Sequence, residues 1–374
     1  MKSSHLTCMN LLVFNIRTDA DHPTQSVTTR WLNSFSSHYR HIYVITIHRG
    51  RLLLPDNVSV YPLKKREAGR MKMIVGFYAI LLSLLTKKRI DAVFVHQAVL
   101  LGALAGPVLF LKKIPMVMWR SHKAKSFSLR VCHFFSKTVV SSSRDAFSLS
   151  SRKLIITGHG IDTGAFEPVK ESSLAKNRLF IIGHAGRYSP VKKIEILLQA
   201  VAKLKNDGHA HFKVLLYGLT QNRDDERYFE YLKGLQKDLD IGERVEFHEA
   251  VNPWDMPRLL SRFDLLVSQQ ETGGTDKVIL EAMSCGIPVL LATTTFNHLL
   301  DEKLREHLVF SSGKSSDMAQ KMLRLMEMND ERRISVGLSL RDLVLENHSL
   351  NRFSRRVKEI LISLQRGEGR GVKA

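Results

Sequence analysis

The stretch "FDLLVSQQETGGTDKVILEAMSCGIPVLLA", residues 263–292, decides the fold. "FDLLVSQ" reads as a strand, "ETGGT" as a loop, "DKVILEAMSC" as a helix, "GIP" as a stop and "VLLA" as another strand. Within the helix, Val278, Ile279, Ala282 and Met283 recur at the i, i+3, i+4 spacing of a packed face. Gly286 suits the left-handed position just past the helix, and Pro288 cannot continue it. Strand, helix and strand in succession are the unit from which parallel sheets are built.

The same rhythm extends in both directions. Upstream, strands are predicted at Leu11–Phe14, Ile42–Ile47, Ala92–Val95, Met116–Met118 and Thr138–Ser141, with helical stretches at Ser26–Ser37, Met73–Leu85, Ala98–Phe110 and Phe127–Phe135. Downstream, strands are predicted at Leu179–Ile182, Phe212–Tyr217, Val245–Phe247, Asp264–Ser268 and Val289–Ala292. Helices are predicted there at Lys193–Lys205, Asp225–Lys237, Trp254–Leu260, Asp276–Cys285 and Ser316–Met328. Two doubly wound α/β domains fit this alternation. The polar segment "EPVKESSLAKN", residues 167–177, has the composition of a linker, which sets an N-terminal domain at 1–166 and a second domain at 178–345. A last helix, 349–365, carries Phe353, Val357, Ile360, Leu361 and Leu364 on one stripe and must dock on a neighbour.

A chain of 374 residues, 44% of them hydrophobic, has ample material for two cores. Cys8, Cys132 and Cys285 are too scattered for a disulfide framework or a paired metal site, so a reducing compartment is expected. The N-terminal residues lack a signal peptide's long apolar core, and Met73–Leu85 is short for a spanning helix, so a cytoplasmic protein is expected. Charge is unevenly spread. Residues 1–170 hold 25 basic against 8 acidic residues, net +17, whereas residues 171–374 hold 31 against 28, net +3. The first half is therefore expected to meet something anionic, a membrane surface, a phosphorylated lipid or nucleic acid, unless its charge merely aids solubility.

Familiar nucleotide signatures are missing. The loop after the first strand, "NIRTDADHPTQSVTT", contains no glycine, there is no GxxxxGK[ST], and no HExxH or paired metal-ligand spacing occurs. Two other stretches carry chemistry. In "IIGHAGRYSPVKKIEILLQAVAKL", from Ile181, a strand and glycine turn lead to Arg187 and then to Lys192 before a helix. Cations at the carboxyl end of a strand in an open sheet suit a diphosphate, Arg as a fork and Lys as a point charge; the plainer reading is two surface charges flanking a loop. In the opening stretch, Gly273 and Gly274 permit close backbone approach and Thr275 is a fitting N-cap, so the helix start would face an anion. Glu281, one turn past Lys277, is either half of an i,i+4 ion pair or a carboxylate that accepts from a ribose diol.

Together, "SLSSRKLIITGHGIDTGAF", "GHAGRYSPVKKIEILLQA" and "GGTDKVILEAMSCGIPVL" resemble family 4 of the retaining glycosyltransferases. The resemblance covers nearly the whole chain and implies the GT-B fold, two Rossmann-like doubly wound domains facing across a cleft. It implies that Arg187 and Lys192 bind the diphosphate of a nucleotide-sugar donor and that Glu281 holds its ribose. Gly273, Gly274 and Thr275 would lie at the phosphate end of the same helix, and the last helix would cross back to the N-terminal domain. Many members carry another glutamate eight positions before the second, where this chain has Gly273, and Glu271 is out of register. The chain is similar instead to a subgroup with a G-[ST]-x-D-K loop, in which Asp276 and Lys277 contact the donor. His122, following the strand Met116–Met118, stands where the family often places a catalytic histidine; His96 is the weaker candidate and reads as a satisfied, partly buried side chain.

The function so implied is metal-independent transfer of a hexosyl group, with retention, from a nucleotide-diphosphate sugar to a hydroxyl. Side-chain cations and helix N–H groups would meet the charge on the departing diphosphate, with no cofactor. The basic first half then predicts peripheral attachment to the inner face of an anionic membrane, a lipid-linked or cell-envelope glycan as acceptor, and no nucleic acid. The competing readings are a sugar-nucleotide epimerase of related architecture and a non-catalytic, basic nucleic-acid- or membrane-binding protein.

Overall fold

Leu11–Phe14 forms the centre of a strand, β1 (Thr7–Thr18), longer than its apolar run. The extension holds because the polar residues beyond the run are themselves buried and matched: Asn15 Nδ2 donates to Thr18 Oγ1 at 2.9 Å. The computed structural model describes residues 7–63, 69–168, 178–270, 276–292 and 300–367. Most of the expected linker, the basic residues 64–66, and Glu271, Gly273, Gly274 and Thr275 lie outside the described residues.

The chain divides into two units, Met1–Asp162 with Asn347–Ala374, and Thr163–Glu346. In the first, β1 is followed by α1 (Val27–Ser36), β2 (Tyr39–Arg49), β3 (Val58–Pro62), α2 (Arg70–Lys87), β4 (Ala92–His96), α3 (Val99–Leu111), β5 (Met116–Trp119), α4 (Phe127–Phe135), β6 (Thr138–Ser141) and β7 (Leu154–Ile156). These strands form one parallel sheet in the order β3-β2-β1-β4-β5-β6-β7. One face buries Phe77, Leu81, Leu101, Leu109, Leu129 and Cys132 of α2, α3 and α4. The other buries Trp31, Leu32 and Phe35 of α1 with Phe353, Val357, Ile360 and Leu361 of the last helix, whose predicted stripe is thus its packed face. Trp31 and Phe353 pack at a tilt with ring centroids 4.3 Å apart.

The second unit repeats the plan. Its elements are β8 (Phe180–Ala185), α5 (Ile194–Asn206), β9 (Phe212–Gly218), α6 (Arg223–Asp238), β10 (Val245–Glu249), α7 (Met256–Leu260), β11 (Leu265–Ser268), α8 (Lys277–Ser284), β12 (Val289–Leu291), α9 (Glu302–Leu308), α10 (Ser315–Glu327) and α11 (Asp330–Asn347), before α12 (Leu350–Gln365). The sheet is parallel in the order β10-β9-β8-β11-β12. Both units are therefore Rossmann-like and doubly wound, as the sequence rhythm implied.

Strands β3 and β7 and helices α9 and α11 were not expected from sequence. β3 and β7 are edge strands of intermediate burial; β3 alternates apolar and polar residues, and the apolar run of β7 is only three residues long. Helix α11 runs 18 residues but buries only Gly337, Leu340 and Val344, so its apolar period is faint. Helix α8 ends at Cys285 followed by Gly286, which takes φ +72°, the left-handed turn read from the sequence.

Candidate functional site

In each sheet the strand order reverses beside the first strand, between β8 and β11 in the second unit and between β1 and β4 in the first. Loops at the carboxyl ends of such strands diverge and leave a crevice, the general place for a ligand on an open α/β sheet.

After β8 the chain turns at Gly186, whose N–H donates to Tyr217 O at 2.9 Å. The turn hugs the neighbouring strand: a Cβ on Gly218 would stand 2.3 Å from Gly186 O, so glycine is required at 218. Tyr188 is buried with its hydroxyl 2.7 Å from the carbonyls of Leu216 and His248, which fixes the loop to β9 and β10. A 3₁₀ turn, Pro190–Lys192, then presents Lys192, and Lys193 adopts φ +48° to lead into α5.

Lys192 is the most constrained cation of this end of the sheet. Its side chain is 10% exposed, and its ammonium donates to Gln270 Oε1 at 2.9 Å and to the Asp276 carboxylate. Gln270 follows β11 and Asp276 precedes α8, so one ammonium ties the loop after β8 to the segment joining β11 and α8. Asp276, rather than the expected Thr275, occupies the N-cap of α8; its side chain makes no cap hydrogen bond because it is turned to Lys192. Arg187 stands apart from this pair, 37% exposed, donating to Gln221 Oε1 at 3.2 Å and lying 3.8 Å from the Asp225 carboxylate. Glu281 on α8 is 13% exposed and 3.5 Å from Lys277 Nζ, so the i,i+4 pair forms. Burial pushes the neighbouring Cys285 thiol up to about 12, with Glu281 adding to the effect, and removes it as a nucleophile.

Residues not singled out from sequence complete the site. His184 is buried on β8, and its Nδ1 lies 3.1 Å from Val267 O. Burial, and then the charge of Lys192, push its pKa down to about 4. The ring is therefore neutral, Nδ1 carries the proton that the carbonyl accepts, and Nε2 is a bare acceptor. That nitrogen and Lys192 Nζ lie on one side of Gly186, where a Cβ would be 3.6 Å and 3.7 Å from them. Ser189 Oγ, Ser268 Oγ and both amide atoms of the fully buried Gln269 have no hydrogen-bond partner among the described residues. Buried polar groups are normally satisfied, and these atoms lie beside Lys192 at the end of the sheet next to residues 271–275. A histidine two residues before a glycine turn was the available sequence signal for His184.

His122 belongs to the first unit, two residues beyond Arg120, at the carboxyl end of β5. It is exposed, and its Nδ1 accepts from Ala124 N–H at 2.9 Å; partial burial and then Arg120 lower its pKa. His96 is buried, as read, with Nδ1 3.3 Å from Thr28 Oγ1 and its ring 4.5 Å from that of Trp31. Among the described residues, no group of three or more His, Cys, Asp or Glu side chains is placed to hold a metal ion.

Residues 179–328 match the sequence model of the family described as Glycosyl transferases group 1. The matched range lies within the second unit and contains Arg187, Lys192 and Glu281. The chain is 24% identical over 194 residues to the human GDP-Man:Man(3)GlcNAc(2)-PP-Dol alpha-1,2-mannosyltransferase, a match covering 50% of this chain and 38% of that protein. Among solved structures, Anabaena Alr3699/HepE in complex with UDP superposes with a TM-score of 0.72 at 17% identity, covering 95% of this chain and 100% of that one. WaaG, a glycosyltransferase involved in lipopolysaccharide biosynthesis, gives 0.65 at 14% identity, covering 94% and 99%. Likeness over almost the full length shows the GT-B fold with its two Rossmann-like domains.

Proposed function

We propose that the chain transfers a glycosyl group from a nucleoside-diphosphate sugar to a hydroxyl acceptor, with retention of anomeric configuration. The observation that carries this reading is Lys192: a nearly buried ammonium held at the switch point between β8 and β11 by Gln270 and Asp276. The match of residues 179–328 to a glycosyltransferase family supports it, as does the UDP complex of the Anabaena protein.

In this reading Lys192 and Arg187 receive the diphosphate, and an incoming anion takes the place of Asp276 against the ammonium. Gly273, Gly274, Thr275 and the start of α8 add N–H groups, Asp276 and Lys277 border the donor, and Glu281 accepts from the ribose hydroxyls. Breaking the sugar–phosphate bond builds charge on the leaving diphosphate, and fixed cations lower that barrier without a metal. His122 orients the sugar or the acceptor from the first unit. The acceptor is a lipid-linked or cell-envelope glycan, by analogy with the PP-Dol-linked substrate in the human relative's name and the lipopolysaccharide role in WaaG's description.

Thermal-shift measurements with UDP, GDP and their sugars test the reading. A nucleoside diphosphate should raise the melting temperature of the wild type and leave Lys192→Ala unmoved, and transfer should persist in a chelator. If no nucleotide stabilises the wild type more than Lys192→Ala, the donor site is elsewhere or absent.

A further inference from the structure

Helices α2, α3 and α4 lie side by side on one face of the first sheet, and each turns an apolar stripe outward. On α2 the exposed positions are Met71 (72%), Val75 (63%) and Leu82 (45%), spaced along one side, while Phe77, Leu81 and Leu84 face the sheet. On α3 they are Leu100, Phe110 (65%) and Leu111 (81%), and on α4 they are Phe127 (81%) and Phe134 (72%). Close packing brings these stripes together. A Cβ on Gly102 would meet Cys132 Sγ at 2.5 Å, and one on Gly106 would meet the Phe135 ring at 2.4 Å, so α3 and α4 touch through glycine. The rings of Phe110 and Phe135 are 6.3 Å apart and those of Phe134 and Phe135 are 5.0 Å apart, which joins the ends of the two helices. Tyr78 on α2 donates to Leu104 O on α3 at 2.9 Å. Single exposed apolar side chains are ordinary, but a joined face of large ones marks a contact surface.

Charge names the partner. Residues 69–137, which contain all three helices, hold twelve Lys or Arg and one acid, Asp91. Asp91 is buried, accepts from Asn10 N–H and pairs with Arg89, so it presents no negative charge outward. In a parallel sheet the connecting helices run opposite to the strands, so their carboxyl ends share an edge. There Lys87, Lys88, Arg89, Lys112, Lys113 and Lys137 are exposed, bordering Phe110, Leu111 and Phe134. Large apolar groups rimmed by cations match the boundary between acyl chains and anionic headgroups. No described helix is long and apolar enough to cross a membrane.

We infer that the α2–α4 face docks the chain on an anionic lipid bilayer, with Phe110, Leu111, Phe127 and Phe134 entering the interface and the basic edge against the headgroups. The inference goes beyond the proposed glycosyl transfer and stands without it, because no residue of the donor site takes part. Co-sedimentation of the full chain with phosphatidylcholine vesicles, with and without phosphatidylglycerol, tests it. The wild type should pellet with the phosphatidylglycerol vesicles, at least tenfold more than with phosphatidylcholine alone, and should be released by salt. Phe110→Ser/Leu111→Ser and Lys112→Glu/Lys113→Glu should each lower binding more than tenfold, while their melting temperatures and nucleotide responses stay at wild-type values. Binding indifferent to phosphatidylglycerol, or retained by both double variants, would overturn the inference. So would a wild type that dimerises in light scattering, ignores vesicles and becomes monomeric on Phe110→Ser/Leu111→Ser, since the face would then join two copies.

Discussion

The two sheets reverse strand order in the same way, yet the carboxyl ends beside the two reversals are furnished oppositely. In the second unit the crevice holds Lys192, Asp276 and neutral His184, with Arg187 and Glu281 nearby. In the first it holds buried rings packed on one another: His96 lies tilted on Trp31, Trp119 lies edge-on to Trp31 at 4.9 Å, and His159 lies edge-on to Trp119 at 6.0 Å. The same topology thus supports one end organised around a nearly buried charge and another organised around buried aromatic rings. Topology places the crevice; the residues at the strand ends decide what it receives.

Truncating Trp31 should break the aromatic end and spare the charged one. Trp31 is 2% exposed, packs against Phe353 of α12 and donates from Nε1 to Gly160 O at 3.0 Å. Trp31→Ala should destabilise the first unit by about 3–5 kcal/mol, the usual loss for a large buried ring. Two-probe denaturation should show the first unit unfolding early while nucleotide still protects the second. Simultaneous loss of both transitions would mean that the two ends do not form independently.

His184 offers a smaller test, confined to the charged end. Its folded pKa is near 4, against 6.5 for the ordinary side chain. Above pH 6.5 neither folded nor unfolded chain binds the proton. As pH falls below 6.5 the unfolded chain takes it and the folded chain refuses it, so stability declines until about pH 4. The slope is about 1.4 kcal/mol per pH unit, or about 2 kcal/mol between pH 6.5 and pH 5. Comparing pH slopes of urea unfolding for wild type and His184→Gln cancels the titrations that both proteins share. Equal slopes would show that the imidazole is charged or accessible in the folded chain.

The features that could be read in advance are those whose signal is local. β11, α8 and β12 each carry their own apolar run, and Gly286 and Pro288 mark the stop, so that unit was predicted nearly to its ends. β3 is a half-covered edge strand, β7 is an apolar run of only three residues, and α11 has a weak apolar period, so each carries little local signal. Within the site, Arg187 and Lys192 were legible as cations after a strand. Their division of labour was not, because the partners of Lys192 are Gln270 and Asp276, 78 and 84 residues away. The position of His184 beside Lys192 likewise depends on how β8 pairs with β11, a register that no local pattern encodes.

Glu281 gives the mildest and most specific test of what the charged end receives. Its pair with Lys277 is a partly exposed i,i+4 contact at 3.5 Å, the kind that contributes about 0.3–0.5 kcal/mol. If that pair were its whole role, Glu281→Gln and Lys277→Met would lower the melting temperature slightly and equally, and neither would alter ligand binding. A carboxylate that accepts from a ribose diol predicts an asymmetry instead. Glu281→Gln should weaken a nucleoside diphosphate about tenfold, the loss of roughly one charge-assisted hydrogen bond. Inorganic pyrophosphate, which has the anion but no ribose, should bind Glu281→Gln like wild type. Calorimetric titration with the two ligands therefore separates recognition of the sugar from recognition of the phosphates. Equal weakening of both would assign Glu281 to positioning α8 rather than to the ribose.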